Sequence, residues 1–244
     1  MFDKYGINDP KPGTEGRYSH KDYPKQFNKS SFLPNLVNQH TNIESINTVL
    51  DIGALEGGDS LRFNCWYPNA QIYTIEGSPS NYDVMVNKLG VRENLNTFNY
   101  VMSSKIGMVD FRRVEYKDDR AENGTMIMGS IYNYTENKKK QHNLKTVDSV
   151  KVESVTFDSF CKSNNITEVD IAHVDIEGAT YDMVLGMNEV LPKILFAEQE
   201  AKEMFADKTS GGNKELLALL SDKGYKMVKN FGNDYLFIRN DVLK

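Results

Sequence analysis

Short apolar runs rich in β-branched residues alternate with segments of helical periodicity along most of this chain of 244 residues. The predicted strands cover residues 48–52, 71–75, 97–102, 170–175 and 193–197. The main helices predicted between and after them cover residues 58–66, 80–89, 179–189 and 213–223. Strands and helices that alternate in this way form a mostly parallel sheet with helices on both faces. The sequence therefore predicts an α/β fold whose ligands bind beyond the carboxyl ends of the strands.

The C-terminal segment departs from this parallel pattern. Two predicted strands, 225–229 and 235–239, are joined by Asn230-Phe231-Gly232-Asn233-Asp234, a sequence typical of a hairpin turn. We therefore expect antiparallel strands at one edge of the sheet.

Two segments do not fit the alternation. Residues 1–29 are rich in Lys, Asp, Gly, Pro and Tyr without an apolar period, which predicts an N-terminal arm or lid, a free tail, or a strap in a homo-oligomer. Residues 115–150 are polar and aperiodic, which predicts a lid-like insertion in a domain that spans residues 30–244. Short extra strands, 109–114 and 152–155, flank this insertion, and its run Lys138-Lys139-Lys140 predicts a solvated loop.

Charge and composition exclude several classes of protein. Hydrophobic residues make up 39% of the chain, enough for a packed core, and the longest apolar runs are far too short for a membrane span. The formal net charge of −5 argues against a general nucleic-acid binder. Cys65 and Cys161 are too few for a disulfide framework, and the N-terminus has no apolar signal segment, so we expect a cytoplasmic protein.

A glycine-rich loop with two carboxylates follows the first predicted strand. Gly53 and Gly57 allow a tight turn and a close approach of the backbone to a ligand. Leu55 stands where a dinucleotide fingerprint has its second glycine, and the acidic side chains nearby are unfavourable for a phosphate. The loop therefore favours a cationic ligand such as S-adenosylmethionine, which carries an ammonium and a sulfonium. The candidate contacts are Asp51, Gly53, Ala54, Glu56, Gly57 and Ser60.

Polar residues also follow the next two strands. Glu76 lies about 20 residues beyond the glycine loop, a position suited to accept hydrogen bonds from both hydroxyls of a ribose, and Gly77 and Ser78 lie beside it. Ser103 and Ser104 follow the third strand and are candidates to contact the edge of an adenine ring.

The fourth strand of the parallel series ends in His173-Val174-Asp175-Ile176-Glu177-Gly178. Alternation places His173 and Asp175 on the same face of the strand, with Asp175 at its tip. A histidine there is also compatible with a structural role, and Glu177 with a carboxylate favoured by a helix dipole.

The order and spacing of these motifs resemble the FkbM family of S-adenosylmethionine-dependent methyltransferases, from about Val49 to about Ile238. The resemblance rests on Val49-Leu50-Asp51-Ile52-Gly53-Ala54, Ile75-Glu76, Val155-Thr156-Phe157-Asp158-Ser159-Phe160 and Val174-Asp175-Ile176-Glu177-Gly178. It implies a Rossmann-like class I methyltransferase fold with a seven-stranded sheet. It also implies that the first two motifs hold the cofactor and that a hydroxyl of a sugar or natural product accepts the methyl group, leaving S-adenosylhomocysteine.

Four residues depart from the family pattern. Leu55 replaces a usual asparagine in the first loop, and Gly77 a usual proline after Glu76. His173 stands where a lysine is common, and Thr180 where the family often has a glutamate. The last two positions lie next to the expected acceptor, so they bear on substrate and base more than on the cofactor.

A hydroxyl is a poor nucleophile until it loses a proton, so the reaction benefits from a general base. Asp175 or His173 is expected to act as base or to orient the acceptor, with Glu177 as a third candidate. Some related class I enzymes hold Mg²⁺ with carboxylates at strand ends, and Asp175, Glu198 and Glu200 occupy comparable places. We expect no metal and keep this set as the alternative.

Three functions compete at this point. The expected one is an O-methyltransferase acting on a small molecule or glycan. The second is a methyltransferase acting on nucleic acid or protein, for which Arg112, Arg113 and Lys138 could form a local basic patch. The third is a non-catalytic binding protein on the same fold, which the joint presence of Asp51, Gly53 and Glu76 disfavours.

Overall fold

The fold is built around two β-sheets, and the computed structural model describes residues 33–116 and 128–244. The predicted arm, residues 1–29, lies outside the described residues. The strands are β1 (Thr48–Ile52), β2 (Gln71–Ile75), β3 (Leu95–Phe98), β4 (Val101–Met102), β5 (Gly107–Tyr116), β6 (Met128–Ser130), β7 (Leu144–Val155), β8 (Ile171–Val174), β9 (Ile194–Glu198), β10 (Tyr225–Phe231) and β11 (Asp234–Arg239). The α-helices are α1 (Leu33–His40), α2 (Gly58–Trp66), α3 (Pro79–Leu89), α4 (Glu136–Gln141), α5 (Phe157–Ser163), α6 (Thr180–Leu185) and α7 (Asn213–Asp222), and a 3₁₀ turn covers Lys202–Met204.

Seven strands form the main sheet in the order β10-β11-β9-β8-β1-β2-β3. β1, β2, β3, β8 and β9 are parallel, whereas β11 is antiparallel to both of its neighbours, β9 and β10. This order confirms the predicted class I methyltransferase sheet with its C-terminal hairpin. The chain runs outward from β1 to β3 and later returns to β8 on the other side of β1, so the switch point lies between the carboxyl ends of β1 and β8.

Side chains of β1 alternate between two apolar layers, one on each face of the main sheet. Leu50 packs in the layer that contains Phe160 of α5. Val49 packs in the opposite layer, which contains Phe63 of α2. The same alternation turns Asp51 toward the Val49 side, where it is completely buried. A carboxylate in that position requires hydrogen-bonding partners, because an unpaired buried charge is strongly destabilising.

The second sheet has the strand order β4-β7-β5-β6 and corrects part of the sequence prediction. The predicted strand 97–102 is divided, with β3 in the main sheet and β4 in the second. The extra strands predicted at 109–114 and 152–155 are parts of the longer β5 and β7, which pair from Gly107↔Ser154 to Tyr116↔Leu144. Most residues of β7 between 145 and 151 are exposed. Backbone pairing extends that strand without the apolar alternation that would reveal it in the sequence.

The helices are short, and the predicted helix 179–189 is shorter than expected. The helix, α6, ends at Leu185. The next residue, Gly186, lies against the turn after β4, where a Cβ atom would be 2.6 Å from the carbonyl oxygen of Ser103. The longest helix is α3, whose first residue is Pro79, the position that tolerates a missing N–H. Within residues 33–116 and 128–244, no helix is long and apolar enough to cross a bilayer.

The described part of the predicted insertion folds onto the loop after β9. Tyr134 forms an isolated β-bridge with Phe205, and their rings lie 5.0 Å apart. Both side chains are buried in a small apolar cluster with Val114 and Leu144. These contacts place the segment from β6 to α4 beside the carboxyl ends of β8 and β9.

Candidate active site

A cleft of about 980 Å³, including space open to solvent, lies at the carboxyl ends of β1, β2 and β8. The second sheet forms one of its sides through Phe111, Gly129 and Ile131. The wall includes eight of the site residues predicted from the sequence: Gly53, Ala54, Glu56, Glu76, Gly77, His173, Asp175 and Glu177. The other predicted residues, Asp51, Gly57, Ser60, Ser78, Ser103 and Ser104, do not line it.

The glycine loop brings β1 and β8 into close approach. Gly53 has φ +87°, and a Cβ atom there would lie 1.8 Å from the carbonyl oxygen of Asp175. Gly57 also has a positive φ, and a Cβ atom would collide with Leu89 at 2.8 Å. Leu55, between them, adopts φ +53°, a conformation that is uncommon for a residue with a side chain. The loop is therefore a tight cradle whose shape depends on the two glycines.

Glu76 closes this cradle from the end of β2. Its Oε2 accepts a hydrogen bond from the backbone N–H of Leu55 at 2.8 Å, and its Oε1 accepts one from the N–H of Ser78 at 2.7 Å. Burial raises the pKa of Glu76 to about 7, although the hydrogen bonds from Ser78, Leu55 and Asn81 oppose that rise. The Glu76 carboxylate is thus fixed at the cleft wall. Ser78 does not line the cleft and contributes through its backbone N–H, which donates to this carboxylate.

Asp51, Ser60 and His173 form a buried group behind the wall. Asp51 Oδ2 accepts a hydrogen bond from the Ser60 hydroxyl at 2.5 Å, and Asp51 Oδ1 lies 2.8 Å from His173 Nδ1. Burial lowers the pKa of His173, but the hydrogen bond and negative charge of Asp51 outweigh it and raise the pKa to about 9. The His173 ring itself lines the cleft. Asp51 and Ser60 therefore hold His173 and do not themselves reach the cleft surface.

The two serines after β4 occupy a different place from the one expected. The Ser103 hydroxyl lies 2.7 Å from that of Ser154 and donates to the carbonyl of Lys105 at 3.2 Å. Residues 100–102, just before the serines, line the cleft instead. Strand β4, which leads into this turn, belongs to the second sheet and not to the main sheet.

Glu177 connects the main sheet to the predicted insertion. Its Oε2 accepts a hydrogen bond from the Tyr134 hydroxyl at 2.9 Å, and its carbonyl accepts one from Ser130 Oγ at 2.7 Å. Burial and the charges of Glu200 and Glu198 raise the pKa of Glu177, against the opposing effects of the Tyr134 hydrogen bond and Lys138. Glu177 also has φ +48°, so its backbone is held in a strained conformation at the cleft.

Lys138 contradicts the solvated loop predicted for the basic run. It is only 7% exposed, and its Nζ donates to Glu200 Oε1 at 2.8 Å. Its partner is 62 residues away in the chain, so the local sequence gives no sign of the pair. Thr135 precedes helix α4 as its N-cap, and its hydroxyl accepts a hydrogen bond from the backbone N–H of Lys138.

Several wall residues were not selected from the sequence. They are Asp59, Arg62, Asn81, Tyr100, Phe111 and Ile131. The Phe111 ring fits between two glycines, since a Cβ atom would lie 3.0 Å from it at Gly77 and 2.5 Å from it at Gly129. Glycine in place of the usual family proline at position 77 is explained by this contact. Nothing in the local pattern of β5 indicates that its phenylalanine faces a glycine 34 residues earlier.

The structure also places the carboxylates of the alternative metal set. Among the described residues, no group of three or more His, Cys, Asp or Glu side chains is arranged to hold a metal ion. Glu200 is paired with Lys138, and the carbonyl of Glu198 accepts the Thr180 hydroxyl at 2.5 Å.

Comparisons with known proteins agree with this architecture. A family model described as "Methyltransferase FkbM domain" matches residues 51–227. The 2-O-methyltransferase NoeI of Sinorhizobium fredii is 24% identical over 159 residues, which cover 64% of this chain and 65% of the relative, so the match spans just under two thirds of its length.

Two solved structures with a similar fold are named as a pre-rRNA processing protein and a methyltransferase. The fibrillarin pre-rRNA processing protein of Methanococcus jannaschii has 14% identity and a TM-score of 0.48, over 88% of this chain and 76% of the other. A SAM-dependent methyltransferase from Aquifex aeolicus has 12% identity and a TM-score of 0.45, over 96% and 97%.

Proposed function

Since the chain belongs to the FkbM methyltransferase domain family, we propose that it transfers a methyl group from S-adenosylmethionine to a hydroxyl of a sugar, glycan or related small molecule. The observation that carries this proposal is the placement of the Gly53 loop, Glu76, Asp175 and Glu177 around one cleft at the switch point. The loop and Glu76 suit the cofactor, and the two later carboxylates suit an acceptor hydroxyl.

The cleft chemistry fits the cofactor. S-adenosylmethionine supplies a methyl group on a cationic sulfur, together with an ammonium and two ribose hydroxyls. Glu76 is held by two backbone N–H groups and presents a carboxylate that can accept hydrogen bonds from a ribose. Gly53 has no side chain, which lets β1 lie against the Asp175 carbonyl and keeps the loop in place at the cleft wall. Glu56 adds negative charge along the same wall.

Asp175 and Glu177 are our candidates for the general base. Each lines the cleft, and a carboxylate there can take the proton of an acceptor hydroxyl as that oxygen attacks the methyl carbon. The raised pKa of Glu177 brings it closer to neutral pH, where a base is most effective. His173, with a pKa raised to about 9, is protonated at neutral pH, and we assign it to orienting Asp175 and the acceptor.

The relative's name supports oxygen as the acceptor atom. NoeI is a 2-O-methyltransferase, and 159 residues of this chain align with it at 24% identity. We extend to this chain the use of a hydroxyl acceptor, and we propose a small acceptor that contacts the apolar second-sheet side of the cleft, Phe111 and Ile131, as well as the carboxylates opposite.

The structure gives less support to a nucleic-acid substrate. The cations that could form a basic patch each lie beside a carboxylate: Arg112 near Asp207, Arg113 with Asp148, and Lys138 with Glu200. Ion pairs of this kind reduce the positive potential that backbone phosphates would need. A panel that includes tRNA, rRNA fragments and protein would detect such acceptors directly.

Two measurements test the proposal. Calorimetric titration with S-adenosylhomocysteine should give one site per chain, and the absence of binding would exclude both methyltransferase functions. Transfer of radiolabelled methyl should then be measured over a panel of sugars, glycans and nucleotide sugars. With an accepted substrate, Asp175→Asn should lower turnover by about 100-fold or more while cofactor affinity stays nearly constant. Full activity in Asp175→Asn, His173→Ala and Glu177→Gln would refute the assigned roles.

A further inference from the structure

One wall residue carries a charge opposite to that of most of its neighbours. We propose that the Arg62 guanidinium binds the α-carboxylate at the amino-acid end of S-adenosylmethionine. This assignment rests on the proposed function, because it names a contact within the same cofactor site.

Arg62 reaches the cleft from the helix that directly follows the glycine loop. Gly58, Asp59 and Arg62 lie within about one turn of α2, and all three line the cleft. The Arg62 side chain is only 7% exposed, and its Nη1 donates to Asp59 Oδ1 at 2.5 Å. The guanidinium charge is therefore held at a fixed place beside the loop.

The cleft wall carries mostly negative side chains, which would repel the carboxylate of the cofactor. Most ionisable side chains on the wall are carboxylates: Glu56, Asp59, Glu76, Asp175 and Glu177. They attract the ammonium and sulfonium of the cofactor but repel its carboxylate. Arg62 and His173 are the lining residues, within the described part of the chain, that can carry a positive charge. A carboxylate bound in this cleft gains a charge-assisted hydrogen bond where one of these two cations lies within reach.

Arg62 suits that task better than His173. His173 Nδ1 already lies 2.8 Å from Asp51 Oδ1, and the ring packs near those of Phe63 and Phe196, so the imidazolium has a single N–H left to donate. A guanidinium presents five N–H donors in a planar fork and can bridge two carboxylates along different edges. The Asp59 pair is thus compatible with a second carboxylate on Arg62.

Glu76 and Arg62 would then act on opposite ends of one ligand. Glu76 belongs to the ribose end, and its hydrogen bond with the N–H of Leu55 places it on one side of the glycine loop. Arg62 follows the loop on α2. Loss of Arg62 should therefore affect only ligands that possess the amino-acid carboxylate.

A comparison of two nucleosides isolates this contact. S-adenosylhomocysteine has the carboxylate, whereas 5′-methylthioadenosine keeps the adenosine and the thioether but lacks the amino-acid group. In calorimetric titrations, Arg62→Met should weaken binding of S-adenosylhomocysteine by at least about tenfold and change binding of 5′-methylthioadenosine by less than about twofold. Arg62→Lys keeps the charge without the fork and should give an intermediate loss for S-adenosylhomocysteine alone. If Arg62→Met does not fold, Arg62→Lys carries the test, judged by the same difference between the two nucleosides.

Lys193→Met is the matched control. Lys193 is a largely buried cation paired with Asp170, outside the cleft wall and next to the amino end of β9. This variant should bind both nucleosides as the native chain does. An equal loss for both nucleosides in Arg62→Met, or no loss for either, would overturn the assignment while leaving the proposed function intact. Failure of the native chain to bind either nucleoside would overturn the proposed function, and this contact with it.

Discussion

His173 Nδ1 lies 2.8 Å from Asp51 Oδ1, and the two side chains project from paired positions on adjacent parallel strands. The pair joins β8, which carries the proposed base, to β1, which leads into the glycine loop. Because Asp51 is fully buried and also accepts the Ser60 hydroxyl, His173 is fixed in position.

The raised pKa of His173 makes its contribution to stability depend on pH. The folded-state pKa is about 9 against 6.5 for an ordinary histidine, so the contribution is complete below pH 6.5 and is lost as the pH rises through 9. The shift corresponds to at most about 3 kcal/mol. The free energy of unfolding of the native chain, minus that of His173→Gln, should shrink between pH 6.5 and 9.5. A constant difference over that range would contradict the prediction, and an NMR titration of the imidazole would give the pKa directly.

Glu76 should make cofactor affinity sensitive to acid. Its carboxylate is the form that accepts ribose hydroxyls, and its pKa is raised to about 7. Affinity for S-adenosylhomocysteine should therefore fall as the pH is lowered from 8 to 6, and Glu76→Gln should bind weakly and without this pH dependence. The measurement is calorimetry in buffers of matched ionic strength. Equal pH profiles for the native chain and the variant would exclude Glu76 as the source of the effect.

Gly53 and Gly58 offer a sharp contrast in stability. At Gly53 an added Cβ atom would lie 1.8 Å from the carbonyl oxygen of Asp175, in a backbone conformation with φ +87°, so Gly53→Ala should lose at least about 3 kcal/mol or fail to fold. At Gly58 no atom lies within 4 Å of the corresponding position, and Gly58→Ala should be nearly neutral or slightly stabilising. Chemical denaturation of the two variants checks this. Similar stabilities would mean that β1 and β8 are farther apart than described.

Tyr134 is expected to influence the reaction through Glu177. Its hydroxyl donates to Glu177 Oε2, and that hydrogen bond lowers the pKa of a carboxylate whose pKa burial has raised. Tyr134→Phe should shift the acid limb of the kcat/KM profile to higher pH and lower turnover at neutral pH.

Tyr132→Phe serves as the control for that variant. It removes a similar hydroxyl, one that donates to Asp182 at 2.8 Å, and should leave the acid limb in place. Affinity for S-adenosylhomocysteine should be unchanged in both variants. An unshifted profile in Tyr134→Phe would show that Glu177 is not the titrating base.

The sequence was sufficient for those parts of the fold whose signals are local. The apolar strand Thr48–Ile52 followed by Gly53 predicts both the central strand and the tight turn, because burial and positive φ each select specific residue types. The sequence does not indicate the exposed half of β7, because polar residues can extend a strand through backbone pairing alone.

The site could be predicted only in part for a similar reason. The wall positions Glu76 and Asp175 follow strand ends, which the sequence marks. Asp51 is a predicted ligand contact, and alternation along β1 turns its side chain into the interior beside His173. Arg62, Phe111 and Lys138 depend on partners or surfaces created by chain segments distant in sequence, and the pattern around each of them contains no sign of that tertiary contact.

The ring of Phe111 packs between Gly77 of the main-sheet edge and Gly129 of the second sheet, so the shape of the cleft wall depends on both glycines. A side chain at either glycine would displace the ring, and a smaller residue at position 111 would leave a void beside position 77. The insertion therefore cannot be replaced by that of a relative without regard to these contacts. The three positions should therefore covary among relatives. An effort to change acceptor preference by swapping the insertion would have to transplant all three together.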